Sequence, residues 1–282
     1  VALVPTGALQ SQQFAVVLNN IRSMRNAPEH VVREGLEWYQ RAHEDAQYHA
    51  RRAGRGVDVG AGNISALSQQ NPWMLNRMQA IQMHDLTPDD LDSLRNEDRS
   101  VLRDTPLNYR PTRAILEAHD ILTGAAHPRE SLRNTGNLVA RDEEGNTIKD
   151  PATGKATKER HAVKRYNFQH NIEDPNAPDP VTIDTHALKA ALGSGRDKDA
   201  NEVSGLQYPS RYNSFADAFR QVRDDFGDAT AGQTQAVAWM HQLHRYPNRQ
   251  PDPGLKFLGT QWDPREHGLY MPSDLSIYGD RG

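Results

Sequence analysis

The stretch Glu29–Arg52 constrains the fold more than any other part of this chain. Its residues Val32, Leu36, Tyr39, Ala42, Ala46 and His49 or Ala50 recur at three- and four-residue spacing. That period lays one apolar stripe along a long helix and requires a surface beside it to bury the stripe. Gly54 and Gly56 end the run. A chain whose core begins this way is expected to be mostly α.

Further helices follow in order. One runs from about Ala61 to Gln70 and is broken by Asn71-Pro72. Pro72 can open the next, which carries Trp73, Leu75, Met78 and Ile81. Thr87-Pro88-Asp89-Asp90 is a helix start with acids in the first turn. The helix it opens carries seven acidic against three basic residues between Asp85 and Asp104, which reads as a solvated face. Thr112–Leu122 is another helix, closed by Gly124. Gly136–Arg160 is polar, with turn signals at Glu144-Gly145-Asn146 and Pro151-Ala152-Thr153-Gly154, and reads as a small β-hairpin or excursion. Helices resume at about Val163 and are expected at Asp184–Leu192, Ser214–Phe226 and Gly232–His244. The tail from Pro247 is rich in Pro and Gly and is expected to wrap the surface. The organisation expected is one helical domain over 1–246, with a polar hairpin insertion at 136–160, and an extended tail over 247–282.

Composition bounds the function. Of 282 residues, 36% are hydrophobic, enough for a core. No run of eighteen apolar residues exists, so no membrane span is expected, and Val1–Phe14 does not read as a secretory signal. The absence of cysteine excludes disulfides, zinc–cysteine sites and iron–sulfur clusters, and fits a reducing, cytoplasmic compartment. A formal charge of -4 leaves no global basic footprint, so any nucleic-acid contact must use a local patch.

Chemistry concentrates at Val181–Gly193. An apolar β-branched segment, Val181-Thr182-Ile183, precedes Asp184, and a helix of small residues follows. Asp184 stands where an N-cap is wanted, and a cap role accounts for it fully. A carboxylate at the mouth of a cleft can also stabilise positive charge or activate a nucleophile. Between Lys155 and Arg165 there are five basic residues against one acid, with Tyr166 and Phe168 alongside. Such a run can grip a backbone and stack a base, or it can be a solvated insertion. Arg110 and Arg113 begin a helix and can face phosphate. Gln69 and Gln70 can fill the gap left by an extruded base or cap a buried turn. His241 and His244 are one turn apart, but with no third ligand in view neither a metal nor another cofactor is expected. Trp38, Trp73 and Trp239 read as core. No Walker A loop, dinucleotide fingerprint or nucleophile elbow is present.

Ile183-Asp184-Thr185-His186 and its small-residue helix resemble the V-D-T-H segment of the helix-hairpin-helix DNA glycosylase superfamily, which includes the endonuclease III and adenine glycosylase types. Ile64-Ser65-Ala66-Leu67-Ser68-Gln69-Gln70, with Trp73 and Asn76, resembles that superfamily's early helix and DNA-facing turn. The chain is also similar to a group of uncharacterised phage and actinobacterial proteins. That pattern appears as Trp38-Tyr39, Ala66–Gln70, Lys164 to Ile172, Val181 to Ala187 and Gln235-Ala236-Val237-Ala238-Trp239.

The resemblance implies a DNA glycosylase-like fold and a base-flipping enzyme acting on a base or its N-glycosidic bond. It implies Asp184 as catalytic carboxylate and Lys164 as a candidate amine. Gln69, Gln70, Arg110, Arg113, Arg165 and Tyr166 become candidate DNA contacts, with His186 and Asn76 supporting. The glycine-rich hairpin that holds a DNA phosphate in the superfamily has no counterpart before Asp184, so a monofunctional hydrolase fits better than a lyase. The expected location is then cytoplasmic, that of the host for a phage-encoded chain. Two other functions share the scaffold: a phage DNA base-modifying transferase, and a non-catalytic DNA-binding or virion-associated protein.

Overall fold

The computed structural model describes residues 7–69, 71–133, 138–139, 151, 153–154, 158–159, 163–193, 205–206, 208–245 and 251–272. The fold is mostly α. Its helices are α1 (Ser11–Ser23), α2 (Glu29–Ala53), α3 (Val57–Leu67), α4 (Trp73–Gln82), α5 (Pro88–Arg95), α6 (Thr112–Thr123), α7 (Pro128–Arg133), α8 (Val163–Glu173), α9 (Thr185–Leu192), α10 (Pro209–Val222) and α11 (Ala231–Arg245). No helix among the described residues is long and apolar enough to cross a membrane.

The stripe on α2 does what its period requires. Of it, Tyr39, Ala42, Ala46, His49 and Ala50 are buried and Val32 and Leu36 half-buried, with Trp38 buried beside them. The helix ends at Gly54. Its partner is α11, and the two backbones approach so closely at Gly35 that a Cβ there would lie 2.4 Å from Val237 Cα. Only glycine permits that approach. One apolar cluster joins α2 to α3, α4, α6 and α8. A second joins α1, α9 and α10 to α11. The tryptophans lie in the first: Trp38 meets both Trp73 and Trp239 at 4.6 Å and Tyr39 at 4.8 Å between centroids. Pairs this close add roughly 1 kcal/mol each beyond their burial.

Local signals place several helix ends. Thr87 forms a reciprocal capping box with Asp90. The helix it opens is shorter than the acidic run: α5 stops at Arg95, and Glu97 and Asp104 take positive φ. Helix α1 has no counterpart in the sequence reading, because its polar Ser-Gln-Gln and Asn-Asn pairs mask the buried Val17 and Ile21. Leu138–Val139 pairs antiparallel with Lys158–Glu159. The hairpin expected over Gly136–Arg160 is not established by that ladder, since the turn between the two pieces lies outside the described residues.

The tail does more than wrap the surface. Residues 251–272 form a strap with two 3-10 turns, Pro253–Phe257 and Pro264–His267. Helix α4 has Pro72 at its N-cap and no side-chain cap of its own. Asp252 of the strap supplies one: its carboxylate accepts from Met74 N at 3.0 Å and Leu75 N at 3.2 Å. It also accepts from Gly254 N at 2.8 Å. Capping of this kind is worth about 1 kcal/mol. Phe257, Leu258, Trp262 and Met271 then pack on the first cluster.

Candidate functional site

Asp184 stands at the end of an irregular segment threaded through the core. Val181, Thr182 and Ile183 are buried and belong to neither helix nor sheet. Buried backbone groups must find partners, and here side chains provide them. The Tyr212 hydroxyl of α10 donates to Val181 O at 2.8 Å and accepts from Ile183 N at 3.0 Å. Asn167 Nδ2 of α8 donates to the same Val181 oxygen at 2.9 Å. Asn171 Nδ2 donates to Thr182 Oγ1 at 3.1 Å. Behind them the Tyr39 hydroxyl of α2 donates to Gln235 Oε1 of α11 at 2.9 Å. Burial pushes the Tyr212 phenol up to about 12 and raises that of Tyr39 further. Both are neutral hydrogen-bonding groups at any ordinary pH.

This clamp fixes where α9 begins. Asp184 is half-buried, and its Oδ1 accepts from Ala187 N at 2.7 Å. It is a true N-cap. Among the described residues no hydrogen bond joins half-buried His186 to the segment it was expected to support; Tyr212, Asn167 and Asn171 hold it instead.

Helix α8 explains most of the segment Lys164–Ile172. Lys164 is exposed. Arg165 was expected on phosphate, but it is buried. Its Nη2 pairs with Glu117 Oε2 at 2.8 Å and reaches Ala66 O at 3.2 Å, while Nε reaches Ser65 O at 3.4 Å. Free carbonyls at a helix C-terminus attract cations, and the end of α3 draws this guanidinium inward. Arg110, another expected phosphate ligand, is buried at the same place, with Nη1 donating to Gln69 O at 2.7 Å. Burial and the neighbouring Arg165 lower its basicity. Asn76 is also internal and donates to Ile64 O at 3.1 Å. Tyr166 is half-buried, with its ring 6.1 Å from that of His170. Phe168 joins the tryptophan cluster, 5.9 Å from Trp38.

The structure therefore gathers Arg110, Arg165 and Gln69 at the end of α3. Gln69 is exposed there, and Gln70 lies outside the described residues. Through α8 this turn is tied to the Asp184 segment: Arg165 holds one and Asn167 the other. Arg113 is exposed on α6, on the wall of an open cleft of about 830 Å3. Arg95, Arg99, Glu97, Glu117 and Asp120 share that wall, so it is not a basic groove. Arg99 is bonded to Thr112 Oγ1 and to the carbonyls of Asn108 and Arg110. His244 faces Glu34 at 3.3 Å, and no group of metal-binding side chains is present among the described residues.

Sequence reasoning missed Tyr212, Asn167 and Asn171 as the residues that hold the segment leading to Asp184. Asparagine inside a helix was the signal available, because it disfavours helix unless its amide is used. No curated protein and no solved structure matches the chain. A family of unknown function, DUF7178, matches residues 6–245, and the chain belongs to that family.

Proposed function

We propose that this chain is a DNA-binding, base-flipping enzyme of the DNA glycosylase type, with Asp184 as its carboxylate. The observation that carries the reading is the clamp: Asp184 is half-buried at a helix N-terminus on a segment held by Tyr212 and Asn167. A carboxylate so held keeps a fixed direction while positive charge develops on a sugar or while a water is activated. The exposed Gln69 turn is the part available to contact an opened duplex. Lys164 is solvent-accessible, as a phosphate contact or an amine nucleophile must be. The test compares wild type with Asp184→Asn on duplexes carrying damaged and phage-type modified bases. Base release by wild type alone is the expected result. Equal release by both removes Asp184 from the mechanism.

One observation favours a second reading. Two arginines expected on DNA are buried in structural bonds, and Asp184 Oδ1 is already used as a cap. A non-catalytic module needs no more than that. Salt-dependent DNA binding separates the two readings: failure to bind at low salt points to a protein partner. Mass added to nucleosides with the glycosidic bond intact marks a base-modifying transferase.

A further inference from the structure

Helix α6 carries two working faces. Ile115, Ala118, Ile121 and Leu122 are buried against the core. Thr112, Arg113, Leu116, Glu117 and Asp120 recur at three- and four-residue spacing on another side and line the open cleft of about 830 Å3. The facing wall comes from Leu94 and Arg95 at the end of α5 and from Glu97 and Arg99 beyond it. Ala126 and Ser131 complete the lining, so Leu94, Leu116 and Ala126 are its apolar part.

Three arginines and three acids share the cleft, but several are already engaged. Glu117 Oε1 accepts from Ser131 Oγ at 2.8 Å, and its Oε2 accepts from Arg165 Nη2 at 2.8 Å. Arg95 is paired with Asp92 at 2.8 Å. Arg99 donates to Thr112 Oγ1 and to two carbonyls, which are neutral partners, so its positive charge is not cancelled. The exposed Arg113 guanidinium has no hydrogen bond or ion pair among the described residues. Asp120 meets His119 Nδ1 at 3.5 Å, and its side chain is 49% exposed. Glu97, on the facing wall, is exposed and unpaired among the described residues. Uncancelled positive charge therefore stands at the start of α6, at Arg99 and Arg113, and negative charge toward its end, at Asp120. Arg113 and Asp120 are about 10.5 Å apart along the helix axis, the rise of two turns.

We infer that this cleft docks an amphipathic helix of a partner protein. An acidic side chain of that helix meets Arg99 and Arg113, an apolar one rests on Leu94, Leu116 and Ala126, and a basic one meets Asp120. Size and charge both select this occupant. Two turns of helix, about 11 Å long and about 10 Å across, occupy about 850 Å3, close to the volume of the cleft. Residues i, i+3 or i+4 and i+7 of a helix share one face, and i to i+7 spans the same rise as Arg113 to Asp120. A nucleic-acid backbone is anionic along its whole length and would meet Glu97, Glu117 and Asp120 as well as the arginines. The inference uses no part of the Asp184 site and does not rest on the reading given for it.

A fluorescein-labelled, stapled three-turn peptide carrying Glu, Leu and Lys at i, i+3 and i+7 is titrated with the full chain at low salt, and anisotropy is read. Saturable binding is expected, with Kd of about 100 μM or tighter. Arg113→Glu should weaken it about fivefold, and a peptide with Lys in place of Glu should recover that loss on the variant. Asp120→Lys should weaken it about as much, and a peptide with Glu in place of Lys should recover it. Arg113 is exposed and Asp120 half-buried on a helix surface, so both variants keep the fold. The absence of saturable binding by wild type up to about 1 mM overturns the inference, as does binding that ignores both substitutions. Displacement of the peptide by inorganic phosphate makes the cleft a small-anion site, and displacement by a short DNA duplex assigns Arg113 to nucleic acid; either result also overturns it.

Discussion

Replacing Tyr212 by phenylalanine tests whether the clamp holds the Asp184 segment. The ring and its packing remain, so no cavity opens, and only the hydroxyl is lost. That hydroxyl makes two bonds to the threaded backbone, at 2.8 Å to Val181 O and 3.0 Å from Ile183 N. Val181 O keeps Asn167 Nδ2, so the loss there is one net hydrogen bond, about 1 kcal/mol. The Ile183 N–H loses its acceptor in a residue only 1% exposed, which costs about 1–3 kcal/mol. The expected destabilisation is about 3 kcal/mol, or roughly 6 °C in Tm for a chain of this size. Urea unfolding should show a lower midpoint with the slope unchanged. A double-mutant cycle with Asn167→Ala should give a coupling of about 0.5 kcal/mol or more, because both side chains serve one carbonyl. A change below about 0.5 kcal/mol for Tyr212→Phe would refute the clamp, since the backbone would then satisfy itself without the hydroxyl.

Three further outcomes follow from the same geometry. Gly254→Ala places a Cβ 2.5 Å from Leu75 N, a backbone atom that cannot swing aside, so the strap should lose protection at neutral pH and stability should drop by about 2 kcal/mol. Asp184→Asn should change stability by less than about 0.5 kcal/mol and Asp184→Ala should cost about 1, because asparagine caps a helix as well as aspartate does; calorimetry separates them. His84, depressed to about 4 mainly by burial, binds its proton less readily folded than unfolded. The His84 contribution to stability should therefore fall as pH drops from about 6.5 through about 4, while Asp252, pushed up to about 6 by burial, contributes in the opposite sense, so the readout is the difference between wild type and His84→Gln. For His84 alone the bound is about 3 kcal/mol, reduced to about 1–2 by the solvent reaching its ring, and urea midpoints across that range would show it.

Much of the architecture was legible in local signals. The stripe on α2 predicted both the helix and its buried face. Thr87-Pro88-Asp89-Asp90 predicted a helix start, and Asp184 predicted the start of α9; both are observed. These are short-range facts: a cap and its N–H lie three residues apart, and a helical stripe repeats within a turn. The same reading went astray where it had to say which polar groups face water. Arg165 and Arg110 look like solvated cations, yet the carbonyl end of α3 draws both into the interior.

By itself, then, the sequence determined a mostly helical protein, the positions of α2, α6 and α11 and the cap at Asp184. Tertiary structure alone decided what holds that cap and what covers α4. Asp252 bonds an amide 178 residues away, and Tyr212 reaches a backbone 31 residues before it. The physical reason is range. Local backbone geometry follows from a few neighbouring residues, whereas the partner of a buried polar group is chosen only when distant segments pack and exclude water.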